Sequence, residues 1–172
     1  MTKLKKIINV LLTLIIVVCG IFVFLYVIKI EPYVVLSGSM EPKIQTGSLC
    51  FINKNTSFDS IKENDVIAFK LSGDVLVTHR VVEKTNDGLV TKGDANEVND
   101  ASLVNKTNFV GKNIFHIPLL GYFVSAIQST TGKVIFLSFV ALLFVLAFVV
   151  EEPKNKKVKE EETKEKDKEK EE

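Results

Sequence analysis

Two long apolar runs frame a middle segment in which apolar and polar residues partly alternate. Residues 7–28 are apolar apart from Asn9 and Thr13, with Gly20 the one other weak member. As a helix this run reaches about 33 Å, enough to cross a hydrocarbon core of about 30 Å. Lys3, Lys5 and Lys6 precede it, which predicts a cytoplasmic N-terminal stretch over residues 1–6. The run is long for the core of a cleaved leader. No small-x-small site comes after it, since the chain continues Lys29-Ile30-Glu31-Pro32-Tyr33, so a retained transmembrane anchor is expected. A second run over residues 134–150 would extend about 26 Å and is expected to recruit residues before Lys133. Ser138 is its one polar residue, and Glu151-Glu152-Pro153 ends it. Lys154, Lys156, Lys157 and Lys159 come next, so both termini are placed on the cytoplasmic side and the middle is translocated.

The middle, residues 31–131, reads as β-rich. Residues 48–52 and 65–70 are short apolar strands, residues 75–84 alternate in part, and residues 109–117 form a last strand closed by Pro118. Asn86-Asp87-Gly88 is a turn signal that pairs 75–84 with 89–92 as a hairpin. Ser72-Gly73-Asp74 is a second turn. No helix is expected in this region beyond a turn near Asp59-Ser60-Ile61-Lys62. The fold class is therefore mainly β, one domain held between an N-terminal and a C-terminal transmembrane helix.

Composition sharpens this layout. The mean hydropathy is +0.24 although 25% of the residues are charged, because the two kinds of residue sit in separate blocks. The Lys/Glu tail over residues 151–172 has almost no apolar residue and is expected to be disordered or transiently helical, its i,i+4 charge pairs supporting at most a fraying helix. A formal net charge of +1 gives no basic field for nucleic acid. Cys19 lies within the apolar run and Cys50 beside Phe51, so both read as small packing residues and not as a disulfide. Two histidines and two cysteines without ligand spacing argue against a metal, and no nucleotide-binding glycine loop is present. No cofactor is expected.

Candidate chemistry lies in the middle segment. Ser37-Gly38-Ser39-Met40-Glu41-Pro42 comes about ten residues after the first run. A serine hydroxyl needs a base within hydrogen-bond reach and a site for an oxyanion. Ser39 is the candidate nucleophile: Gly38 permits close approach and Pro42 stiffens the segment after it. The bland alternative is a Gly/Ser turn leaving the membrane. His79, in Thr78-His79-Arg80, sits on a predicted strand and carries the side chain suited to move a proton near neutral pH. His116, before Pro118, is assigned to the membrane interface instead. A carboxylate is needed to fix the imidazole. Asp94 and Asp100, in Lys92-Gly93-Asp94-Ala95-Asn96-Glu97-Val98-Asn99-Asp100, both qualify, and the residues alone leave the choice open.

These segments, with Asp65-Val66-Ile67, resemble the successive motif boxes of the type I signal peptidases. The resemblance covers roughly residues 30–121. A histidine at position 79, where the usual bacterial branch has lysine, makes the chain similar to the endoplasmic-reticulum-type branch, which also occurs in Gram-positive bacteria and archaea. The two-span layout suits a prokaryotic, self-sufficient member. The resemblance implies a membrane-bound serine endopeptidase that removes N-terminal signal peptides from exported preproteins. It implies Ser39 as nucleophile, His79 as general base and Asp100 as the triad aspartate. Asp94 would be a supporting residue, and Ser37 would assist the oxyanion hole beside the Ser39 N–H. The implied partners are signal peptides of secreted preproteins, the lipid bilayer and the secretion machinery. The implied location is the plasma membrane, crossed twice, with the catalytic domain on the outer side. The reading from another class is a membrane-anchored β-domain that binds exported proteins without catalysis. It would keep the strands and spans but would not need Ser39 and His79.

Overall fold

A computed structural model describes residues 3–71 and 75–149. The chain divides into two compact units. One comprises residues 18–134; the other combines the outer parts of two apolar helices, up to Val17 and from Ile135 onward. Those helices are α1, Lys3–Val27, and α3, Thr130–Val149. Both are long and apolar enough to cross a membrane. Most of their apolar side chains are exposed, Ile8 and Leu143 being the buried described exceptions, as expected of helices that are hydrophobic all round. α3 begins four residues before the apolar run proper, so it does recruit Thr130 to Lys133.

The unit of residues 18–134 is built on one antiparallel six-stranded sheet. Its strands are β1 (Ile30–Val34), β2 (Leu49–Asn53), β3 (Val66–Lys70), β4 (Leu76–Lys84), β5 (Leu89–Lys92) and β6 (Phe109–Ile117), in the spatial order β1-β2-β6-β3-β4-β5. β2 and β3 read as continuous apolar runs because both of their faces are covered. Ile67 and Phe69 of β3 point into a core with Ile61, Val81, Leu89 and Val104. Ala68, between them, points into a second core with Met40, Ile44, Cys50 and Ile52. β4 and β5 form the expected hairpin, closed where Thr85 accepts a hydrogen bond from the Gly88 N–H and donates to the Gly88 carbonyl.

Two elements differ from the sequence expectation. β1 pairs with β2 along its full length, from Ile30 opposite Asn53 to Val34 opposite Leu49. As an edge strand it tolerates Pro32, which lacks an N–H. Within the region expected to be free of helix, α2 spans Leu120–Gln128 and packs on β1. Gly121 makes this possible, because a Cβ there would lie 2.6 Å from the carbonyl oxygens of both Gly47 and Ser48. The turn near residue 59 is a short 3-10 turn, Phe58–Ser60. The Ser72-Gly73-Asp74 turn, residues 1–2 and the tail from Val150 on lie outside the described residues.

Candidate active site

Ser39 stands on the chain that leaves β1. The Val35 N–H donates to the Ser48 carbonyl and the Gly47 N–H to the Val35 carbonyl, which keeps the chain extended beyond the strand. It then turns: the Glu41 N–H reaches the Gly38 carbonyl at 3.0 Å and the Ile44 N–H reaches the Met40 carbonyl at 2.8 Å. Met40 and Ile44, both buried in the second core, pin this turn from below. The Glu41 carboxylate accepts hydrogen bonds from the Thr46 N–H and hydroxyl. A Cβ on Gly38 would lie 3.3 Å from the Glu41 carboxyl carbon. The serine is thus presented by a turn with an apolar anchor directly after it.

His79 comes from the middle of β4, opposite Ile67. It is 7% exposed, with the Phe69 ring set edge-on at 6.1 Å. Its Nε2 lies 3.1 Å from Ser39 Oγ and its Nδ1 2.7 Å from Asp100 Oδ2. An ionised carboxylate only accepts, so the Nδ1–H donates to Asp100 and the Nε2 lone pair faces the serine hydroxyl. That arrangement lets a hydroxyl pass its proton to an imidazole whose other nitrogen is held.

Asp100 is fixed in turn by β5. Its N–H donates to the Thr91 carbonyl at 2.8 Å, and the Thr91 hydroxyl donates to Asp100 Oδ2 at 2.6 Å. Thr91 is fully buried and stands opposite Val81 in the β4–β5 pair. Asp94 faces elsewhere. It takes a two-pronged ion pair from Arg80, Nε to Oδ1 at 2.8 Å and Nη2 to Oδ2 at 2.7 Å. The hydrogen bonds to Asp94 raise the Arg80 pKa against the opposing pull of partial burial. Arg80 also donates to the Asn64 carbonyl.

The loop carrying Asp94 holds Ser39 as well. The Ala95 N–H donates to the Ser39 carbonyl at 2.9 Å, and a Cβ on Gly93 would lie 2.5 Å from that same oxygen. Only glycine permits this approach. Ser37 Oγ stands 3.3 Å from Ser39 Oγ. The fold therefore groups Ser37, Ser39, His79 and Asp100, and places Asp94 one step away, on the Arg80 side of the loop. The reading from sequence missed Thr91 and the clamp made by Gly93 and Ala95. An inward threonine in the strand expected beside His79 was the available signal for Thr91.

A cleft of about 560 Å³ opens beside Ser39 and His79. Residues 33–37 and residues 75–78 line it, together with Leu71, Met40, Ile44 and Cys50. β5 pairs with β4 only from Arg80 onward, so residues 76–79 have β3 on one flank and the cleft beside them. Burial pushes the Cys50 thiol up to about 11, which leaves it an inert apolar neighbour of the site.

A family model described as "Signal peptidase, peptidase S26" matches residues 7–113. The chain belongs to the signal peptidase family. Among its relatives, the catalytic subunit sec11 of the signal peptidase complex from Sclerotinia sclerotiorum is 31% identical over 126 residues, covering 66% of this chain and 73% of that one. Signal peptidase I W of Bacillus subtilis is 41% identical over 78 residues, covering 43% of this chain and 41% of its own. The human signal peptidase complex catalytic subunit SEC11C is 39% identical over 101 residues, covering 51% and 52%. These relatives bear out the resemblance to the endoplasmic-reticulum-type signal peptidases and make the chain a signal peptidase by class. The matched stretch contains Ser39, His79, Asp94 and Asp100, and it ends before α2 and α3.

Proposed function

We propose that this signal peptidase cleaves preproteins through an acyl-enzyme, with Ser39 as nucleophile, His79 as general base and Asp100 as the carboxylate that orients and stabilises the imidazole. The contact of His79 with both Ser39 and Asp100 carries this reading. His79 takes the Ser39 proton as Oγ attacks the scissile carbonyl. The oxyanion is received by the Ser39 N–H and the Ser37 hydroxyl. His79 then gives its proton to the leaving amine, and water repeats the sequence on the ester. Oriented general-base catalysis contributes roughly 10²–10⁴-fold and an oxyanion donor roughly 10²–10³-fold. Asp94 supports the site from outside the proton path, as the partner of Arg80.

The substrate enters the cleft as an extended strand between residues 33–36 and 75–78. In such a strand the residues one and three before the cut point the same way, and pairing to exposed backbone positions them while shallow pockets exclude large side chains. α1 and α3 are proposed to span the plasma membrane with both ends cytoplasmic. Residues 31–131 then face outward, where the cleavage site of a membrane-inserted leader emerges. Ser39 lies twelve residues beyond the end of α1, so catalysis is tied to the bilayer surface. Tethering enzyme and leader to one membrane raises their effective concentration.

The test is the Ser39→Ala protein, purified and reconstituted with one preprotein. It should insert and fold as the parent does and leave the preprotein uncut. Cleavage at the parent rate would remove Ser39 from the mechanism.

A further inference from the structure

The twenty residues between Lys112 and Lys133 contain no Asp, Glu, Lys or Arg, in a chain that is 25% charged. They hold the end of β6, all of α2 and the start of α3. α2 turns Leu120, Gly121, Val124 and Ile127 inward, the spacing of a one-sided helix, and docks on β1 through Gly121. A helix on a water-facing surface presents charges on its outer side. α2 presents Phe123, 64% exposed, with Ser125 and Ala126, and the free face of Tyr122, whose ring lies over Gly47. Leu119, just before the helix, is 63% exposed and held at φ +63°, a conformation that bulky residues rarely adopt. Phe115 and Ile117, at the end of β6, are also exposed.

We infer that α2 is an interfacial helix, seated in the headgroup layer of the bilayer with Leu119 and Phe123 directed at lipid. The occupant is fixed by chain continuity. A single residue, Ser129, separates α2 from α3, so a membrane-spanning α3 brings α2 to the headgroup layer. Aromatic side chains are favoured at that depth, and a helix tethered there needs no basic face to reach the surface. The seat fixes the sheet through β1, and residues 33–36 continuing from β1 line the cleft. The inference rests on the proposed spanning role of α3.

The chain has no tryptophan, so one introduced indole reports its own depth. Four full-length variants, Phe123→Trp, Ser125→Trp, Phe139→Trp and Lys106→Trp, are reconstituted in phosphatidylcholine–phosphatidylglycerol vesicles. Bromine is placed either near the headgroup or near the acyl terminus. Phe123 and Ser125 are exposed on α2, and Phe139 is half-exposed on α3. Lys106 precedes β6, at the end away from the patch. β6 itself has nine residues, about 30 Å at roughly 3.3 Å per residue. The expected result is blue-shifted emission quenched by shallow bromine for residues 123 and 125, quenching by deep bromine for residue 139, and none for residue 106. Deep quenching at 139 with unquenched, red emission at 123 and 125 would overturn the interfacial helix and leave the span intact. Absence of deep quenching at 139 would overturn the span and the inference with it.

Discussion

Asp94 and Asp100 are six residues apart in one loop, and the fold gives them different partners. Asp100 lies against the His79 imidazole, while Asp94 meets a guanidinium that already satisfies both of its oxygens. A carboxylate committed to a two-pronged arginine pair has little left to offer an imidazole. Asp100→Ala should therefore lower kcat by roughly 10²–10⁴-fold, through loss of the correct tautomer and of support for its cation. Thr91→Val removes the second donor to the same carboxylate oxygen and should lower kcat by about tenfold, the scale of one hydrogen bond to a charged group. Steady-state kinetics on one peptide substrate ranks the two variants. A Thr91→Val enzyme as impaired as Asp100→Ala would mean that the hydroxyl does more than hold the carboxylate.

Elements explain what the sequence could and could not reveal. β5 and β6 were legible to the residue, and β2, β3 and β4 to within one, because turn residues or a proline bound each of them. β1 was obscured by Pro32 and by its place directly behind an apolar helix. α2 was obscured because its inward residues and its outward aromatics are all apolar, which blurs the 3.6-residue period. Ser39 was legible from its setting between Gly38 and Met40-Glu41-Pro42, and His79 as one of two histidines. The choice between Asp94 and Asp100 was not, since it depends on how the loop crosses β4 and β5. Gly93 lets that loop, leaving β5, close on the peptide that carries Ser39. Gly93→Ala should push the Ser39 carbonyl away and cost roughly 10²-fold in kcat, the scale of a 1 Å misplacement. Circular dichroism should be unchanged, and parent-like turnover would show that the loop yields without moving Ser39.

At the scale of the molecule, the sheet is held by ionisable groups with opposite pH responses. A hydrogen bond from Tyr33, then one from Lys54, holds Glu31 below the usual carboxylate range. Burial pulls Asp65 upward, but the Lys112 ammonium and the Lys62 N–H outweigh it, and its pKa is also lowered. Groups lowered in this way add stability above the unfolded value of about 4, which is lost as pH falls through the folded value. Tyr33 is raised, first by burial and then by Glu31, and Lys54 is raised by Glu31. Their contributions are complete below about pH 10 and are lost as pH rises through the folded values. The melting temperature of the full chain in detergent should hold a plateau between these limits and fall on both sides. Glu31→Gln should flatten both limbs, and an unchanged profile would assign the pH dependence elsewhere.

The spacing of the site along the chain has a further consequence. Residues 39, 79, 91 and 100 meet only after β5 has folded back on β4, so a nascent polypeptide carries an idle serine until its second hundred residues begin to emerge. On the proposed topology that serine sits twelve residues past the end of an apolar helix that has only just entered the membrane. Under the proposed mechanism, no preprotein is cut until that hairpin has closed.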